Sequence, residues 1–180
     1  MDKQQPVKSV SLRVLSITMV SAIIIVLWIH FIFPMVIVSG VSMMPTYTSG
    51  DFLFSTRNFT IDSLQRDDVI VFQHQGKKKL IKRVIGLPGE TVSVKTTGIY
   101  INGIKYEGAF PDPAIPSGKE TEFTLLPDEF YVLGDNRGAS LDSRSFGPIR
   151  FDNITAKVTR PFRLFNNLKN KLERGNGYVQ

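Results

Sequence analysis

Three segments of this 180-residue chain set residues capable of chemistry among apolar neighbours. The first, Ser39-Gly40-Val41-Ser42-Met43-Met44-Pro45-Thr46, puts hydroxyls in a turn-forming stretch. Gly40 permits close backbone approach there, and Met43 and Met44 offer adaptable apolar walls. The second, Leu80-Ile81-Lys82-Arg83-Val84-Ile85, carries two cations inside a strand pattern. Successive side chains of a strand point to opposite faces, so one of Lys82 and Arg83 is expected to face the interior and the other water. An inward lysine is costly unless neutral or paired. The third, Gly134 to Arg144, crowds Asp135, Asn136, Arg137, Ser140, Asp142, Ser143 and Arg144 between the apolar strand Phe130–Leu133 and Phe146. Composition fits a hydrogen-bonded Asp-Arg network here as well as a solvated loop. The other two segments also have ordinary readings, a turn serine and a lysine that snorkels to solvent.

Composition narrows the chemistry. The chain has no cysteine, which removes thiol nucleophiles, thiolate metal sites and disulfides. Its two histidines, His30 in an apolar block and His74 in a polar stretch, leave little for a histidine triad or a zinc site. Neither a metal nor an organic cofactor is expected. Together the segments suggest serine chemistry with a lysine base. A lysine at its reference pKa of about 10.4 needs roughly 4.6 kcal/mol to be neutral at pH 7, and burial among apolar side chains can supply a shift of that size. Leu80, Ile81 and Val84 are the candidate cradle for Lys82.

The elements that must position these residues are mostly strands. From Val36 onward, short β-branched and aromatic runs alternate with Gly, Pro, Asn and Asp, the pattern of an antiparallel β-sheet or barrel-like body. Strands are expected near Val36–Val38, Asp51–Ser55, Val69–Gln73, Lys79–Ile85, Thr91–Lys95, Gly98–Ile101, Phe130–Leu133 and Ala156–Arg160. Asn102-Gly103 reads as a two-residue hairpin turn in which both residues need positive φ. Lys77 to Lys79 with Gly76 reads as a solvated hairpin tip. Phe110 to Lys119, with three prolines and a glycine, reads as a surface loop.

Ahead of this body, Leu15 to Phe33 holds fifteen apolar positions out of nineteen and no Asp, Glu, Lys or Arg. As a helix it extends roughly 28 Å, close to the hydrocarbon thickness of a bilayer at about 30 Å. Lys3, Lys8 and Arg13 precede it against Asp2 alone, which by the positive-inside rule puts the amino terminus in the cytoplasm. The expected organisation is a cytoplasmic terminus (1–14), one transmembrane helix (15–34), an extracytoplasmic catalytic domain (35–160) and a basic amphipathic tail (161–180). A net charge of +6 is spread along the chain with no aromatic-interleaved basic patch, so the anionic partner expected is membrane lipid and not nucleic acid. Nothing in the sequence specifies an oligomeric state.

Taken in order, Ser42 to Thr46 after the apolar block, Gly50-Asp51, Lys82 to Glu90, and Gly134 to Arg137 with Ser140, Asp142, Ser143 and Arg144 resemble the motifs of bacterial type I signal peptidases. These are membrane-anchored serine endopeptidases that remove signal peptides from exported preproteins. The likeness runs from the apolar block to about Pro148 and is similar to the compact Gram-positive members. It implies Ser42 as nucleophile, Lys82 as general base and the Ser42 N–H as an oxyanion donor. It implies further that Ser140 orients the Lys82 amine, and that Asp142 with Arg144 and Asp135 with Arg137 hold the loop in shape. Gly40 stands where some members place a serine that assists the oxyanion. The implied substrate is a secreted preprotein cut after Ala-x-Ala, with Val36, Val38, Met43, Leu80 and Ile81 matching the pocket walls. Two other readings are a specialised relative with a narrow client set such as pilin subunits, and a non-catalytic anchored scaffold, against which the intact Ser42 and Lys82 count.

Overall fold

Runs such as Val69-Ile70-Val71-Phe72 and Val84-Ile85 are apolar on both faces, which suits strands covered on both sides, whereas Phe52 to Thr56 alternates as a half-buried strand does. The computed structural model describes residues 7–32, 34–76, 78–108 and 120–161, with side chains for those outside 7–11, 27–32 and 160–161. Contacts divide the chain into Met1–Pro34 and Met35–Gln180.

The first unit is helix α1 (Val7–Ile32). Its described side chains, from Leu12 to Val26, are all exposed and mostly apolar. Among the described residues, no helix is long and apolar enough to cross a membrane.

The second unit is built from antiparallel strands. These are β1 (Met35–Ile37), β2 (Phe52–Thr56), β3 (Val69–His74), β4 (Lys78–Gly86), β5 (Thr91–Lys95), β6 (Gly98–Ile101), β7 (Ile104–Lys105), β8 (Thr121–Thr124), β9 (Glu129–Leu133), β10 (Ile149–Arg150) and β11 (Ile154–Pro161). A seven-stranded sheet runs β1-β2-β11-β3-β4-β9-β10, and a four-stranded sheet runs β7-β6-β5-β8. The one short α-helix of this unit is α2 (Ser143–Phe146) among the described residues.

The expected strands are present, with ends displaced by a residue or so. Asn102 and Gly103 take φ values of 50° and 80°, as the two-residue turn requires. At the β3–β4 turn, Gln75 and Gly76 carry the positive φ, so Lys78 and Lys79 belong to β4 and not to the tip. Strands β8 and β10 and helix α2 were not expected. Thr121–Thr124 is short and polar and is recruited by pairing with β5, while Ile149–Arg150 gains its strand geometry from β9. The Pro-rich loop lies outside the described residues, as does the amphipathic tail beyond Pro161, which ends β11.

Candidate active site

Lys82 reaches the site because β4 is central in its sheet, with β3 on one side and β9 on the other. In the β3–β4 register Lys82 faces Ile70 and Leu80 faces Phe72. The pleat therefore puts Lys82 on the same face as Leu80 and Val84, with Ile81 and Arg83 on the other. Ile70, Phe72, Val84 and Val132 belong to one buried apolar cluster, and Leu80 packs against it. By register, Leu80, Val84 and the cross-strand Ile70 share the face of Lys82, while Ile81 lies on the other. Lys82 is 2% exposed.

Ser42 sits in the loop between β1 and β2. The loop is closed at its base by bonds from Val38 N–H to the Asp51 carbonyl and from Gly50 N–H to the Val38 carbonyl. The Asp51 carboxylate accepts from the Thr48 N–H and Oγ1 inside it. Met43, fully buried, pins the loop into a second cluster with Val38, Leu53, Val69, Val71 and Ile81. The outcome is one contact: Lys82 Nζ lies 2.8 Å from Ser42 Oγ and also donates to the Ile81 carbonyl at 2.9 Å. Burial pushes the Lys82 amine down to about 8 against a weaker opposing pull from Asp142.

The carboxylates of the Gly134–Arg144 segment are held in a hydrogen-bonded network. Asp142, fully buried, accepts from Gly134 N–H, caps α2 through the Arg144 N–H, and pairs with the Arg144 guanidinium at 2.8 Å. Asp135 is gripped through both carboxylate oxygens by Arg83 Nε and Nη2 at 2.8 and 2.7 Å, and also accepts from Thr46 Oγ1. Arg137 Nε donates to the Gly134 carbonyl at 3.1 Å.

Residues 11–163 match the family described as signal peptidase, peptidase S26. The chain belongs to this family. A signal peptidase I of Bacillus caldolyticus is 38% identical over 152 residues, covering 75% of this chain and 84% of the relative. Signal peptidase I V of Bacillus subtilis is 37% identical, over 68% and 81%. Signal peptidase IB of Staphylococcus aureus is 30% identical, over 77% and 82%. A crystal structure of a signal peptidase I from Enterococcus faecalis aligns at 28% identity and a TM-score of 0.47, covering 56% of this chain and all of that one.

Within this signal peptidase, two expectations from the sequence are revised. Arg83 does not face water: it is buried on the face opposite Lys82, because Asp135 and the Asp67 carbonyl receive its guanidinium. Burial works against that charge, and the Asp135 carboxylate more than offsets it, so the Arg83 pKa is raised. Ser140 does not bond the Lys82 amine: its Oγ is buried without a hydrogen-bond partner among the described residues. It sits against Gly134, where an added Cβ would come within 2.1 Å of that Oγ and 2.6 Å of the Ser42 carbonyl. Of the pocket candidates, Val36, Val38, Met43 and Ile81 gather around one cluster and Leu80 packs on another.

Gly40 has φ +98° and its N–H donates to Ser49 Oγ at 3.3 Å. His74 stacks on Phe146 at 4.5 Å and lines a cavity of about 410 Å³ with Gln73, Arg150 and Asn153, away from Ser42 and Lys82. Sequence reasoning assigned no role to Thr46, Arg83 or Asn136, although all three stood in the quoted motifs. Their partners lie far along the chain, and local pattern carries no signal for such pairing.

Proposed function

We propose that Ser42 and Lys82 are the nucleophile and general base with which this signal peptidase removes signal peptides from exported preproteins, cutting after small residues. The observation that carries this reading is the 2.8 Å contact between Lys82 Nζ and Ser42 Oγ, made by a lysine whose amine burial has lowered to about 8. Relative to an ordinary lysine, that raises the neutral fraction at pH 7 on the order of a hundredfold.

The neutral amine accepts the Ser42 hydroxyl proton as Oγ attacks the scissile carbonyl carbon. The carbonyl electron pair moves onto oxygen, and the Ser42 N–H stabilises that oxyanion. As the tetrahedral species collapses, the Lys82 ammonium returns its proton to the leaving amine, and an ester to Ser42 remains. Water, deprotonated by the same amine, then attacks the ester, and the ammonium returns that proton to Ser42 Oγ as the cleaved signal peptide leaves as its carboxylic acid. The Asp142–Arg144 and Asp135–Arg83 pairs keep the two halves of the site in register, and Val36 with Ile81 offers apolar walls for the small side chains before the cut.

The chain is held at the membrane by residues 15–34, with its amino terminus in the cytoplasm and the catalytic unit outside. The exposed apolar side chains of α1 and the basic residues that precede the apolar block support this placement.

The test is cleavage of a purified preprotein with an Ala-x-Ala site by the detergent-solubilised full chain, beside Ser42→Ala and Lys82→Ala. Wild type alone should cut, with kcat/KM rising with pH through about 8 as Lys82 loses its proton. Retained cleavage in Ser42→Ala, or a rate flat from pH 5 to 9, overturns the dyad.

A further inference from the structure

The two peptide groups that flank Ser42 are both held by one residue. Asn136 donates its backbone N–H to the Ser42 carbonyl at 3.0 Å and its side-chain Nδ2 to the Val41 carbonyl at 3.2 Å. A peptide group is planar and trans, so its C=O and N–H point in opposite directions. Fixing the Val41 carbonyl therefore fixes where the Ser42 N–H points. That N–H has no acceptor among the described residues, while the N–H of Gly40 is engaged by Ser49.

The Val41 carbonyl also accepts from Met44 N–H at 3.1 Å. That bond lies within the loop and makes no link of its own to the strand that carries Lys82. The Asn136 bond spans 95 residues. Asn136 follows β9 by three positions, and β9 pairs with β4 at Leu133 and Arg83, next to Lys82. The side-chain bond thus ties the aim of the Ser42 N–H to the strand that carries Lys82.

We infer that Asn136 is a positioning residue that aims the Ser42 N–H at the oxygen of the scissile carbonyl. Its amide does not touch the substrate; it acts through the Val41–Ser42 peptide. The inference rests on Ser42 being the nucleophile. Losing the bond misdirects an oxyanion donor without removing it, so the expected cost is about 10- to 100-fold in kcat, with KM unchanged.

The experiment compares full-length wild type, Asn136→Ala and Ser42→Ala on the Ala-x-Ala preprotein. It adds the affinity of a peptide boronate ending in alanine, whose tetrahedral adduct on Ser42 places an oxygen where the oxyanion forms. In Asn136→Ala, kcat and boronate affinity should fall together, while the affinity of an uncut peptide, measured in Ser42→Ala with and without the second change, stays within twofold. The pH midpoint of kcat/KM should stay near that of wild type, because Lys82 is untouched. If Asn136→Ala folds poorly, Asn136→Asp keeps the shape and the backbone bond, exchanges the donor for an ionised acceptor, and should show the same split between kcat and uncut-peptide affinity. An unchanged kcat, or a loss carried by uncut-peptide affinity, overturns the inference while an inactive Ser42→Ala leaves the dyad standing. An active Ser42→Ala overturns both.

Discussion

The two faces of β4 bury cations at adjacent positions and treat them in opposite ways. On one face Lys82 meets apolar side chains, a serine hydroxyl and a backbone carbonyl, and its pKa falls to about 8. On the other Arg83 meets a carboxylate in bidentate geometry and its pKa rises. One residue is kept able to give up its proton, and the other is kept charged. The chemistry of each cation suits its side, because an ammonium shifts readily on burial while a guanidinium stays charged and forks onto a carboxylate. The charged face is structural for the reactive one: Asp135, held by Arg83, accepts from Thr46 four residues beyond Ser42.

Exchanging the two chemistries should have the largest effect. Lys82→Arg places a permanently charged group beside Ser42 and should lower kcat on the order of 10⁴-fold or more in the preprotein assay. Folding, followed by near-ultraviolet circular dichroism, should persist. Cleavage within tenfold of wild type would mean that the neutral amine is not the base.

The next effect belongs to the paired face. Arg83→Met leaves the Asp135 carboxylate buried without its ion partner, and should cost about 3–5 kcal/mol in urea melts. Removing the carboxylate as well, in Arg83→Met/Asp135→Leu, should recover more than half of that. A double variant no more stable than the single one would show that the loss comes from packing and not from an unpaired charge.

A smaller, opposite change is expected for Lys82→Met, which removes a desolvated amine and should stabilise the fold by on the order of 2 kcal/mol at pH 7 while abolishing cleavage. The folded pKa of Lys82 lies below its unfolded value, so between about 8 and 10.4 the unfolded chain binds more protons and wild-type stability rises with pH. Below pH 8 both states carry the proton and the full cost is present. The advantage of Lys82→Met should therefore shrink from pH 7 to pH 10, and a gap that does not shrink would separate the stability change from the amine. His74→Ala should be nearly silent in cleavage, since the imidazole packs on Phe146 away from both residues.

Much of this was legible in the residues. Alternating β-branched runs and Asn102-Gly103 specify strands and a turn through local sterics, and the lack of cysteine with two poorly placed histidines left serine and lysine as the reactive pair. Lys82 and Arg83 show where legibility stops. Period-two alternation says they point apart, but it carries no information on whether the second face meets water or another layer. Strand β8 escaped notice for a similar reason, since a short polar segment becomes a strand only when β5 offers its edge. Ser140, expected on the amine, lies instead against Gly134 in a position no local pattern specifies.

The sequence by itself determined most of the strands, the chemical types at the site and the family, because each is written in local spacing or in ordered motifs. The tertiary structure alone decided which carboxylate Arg83 takes, how Asn136 brackets Ser42, and how far the Lys82 amine is depressed. Those properties depend on contacts between residues tens of positions apart and on water excluded by several strands at once, and neither exists until the sheet has formed.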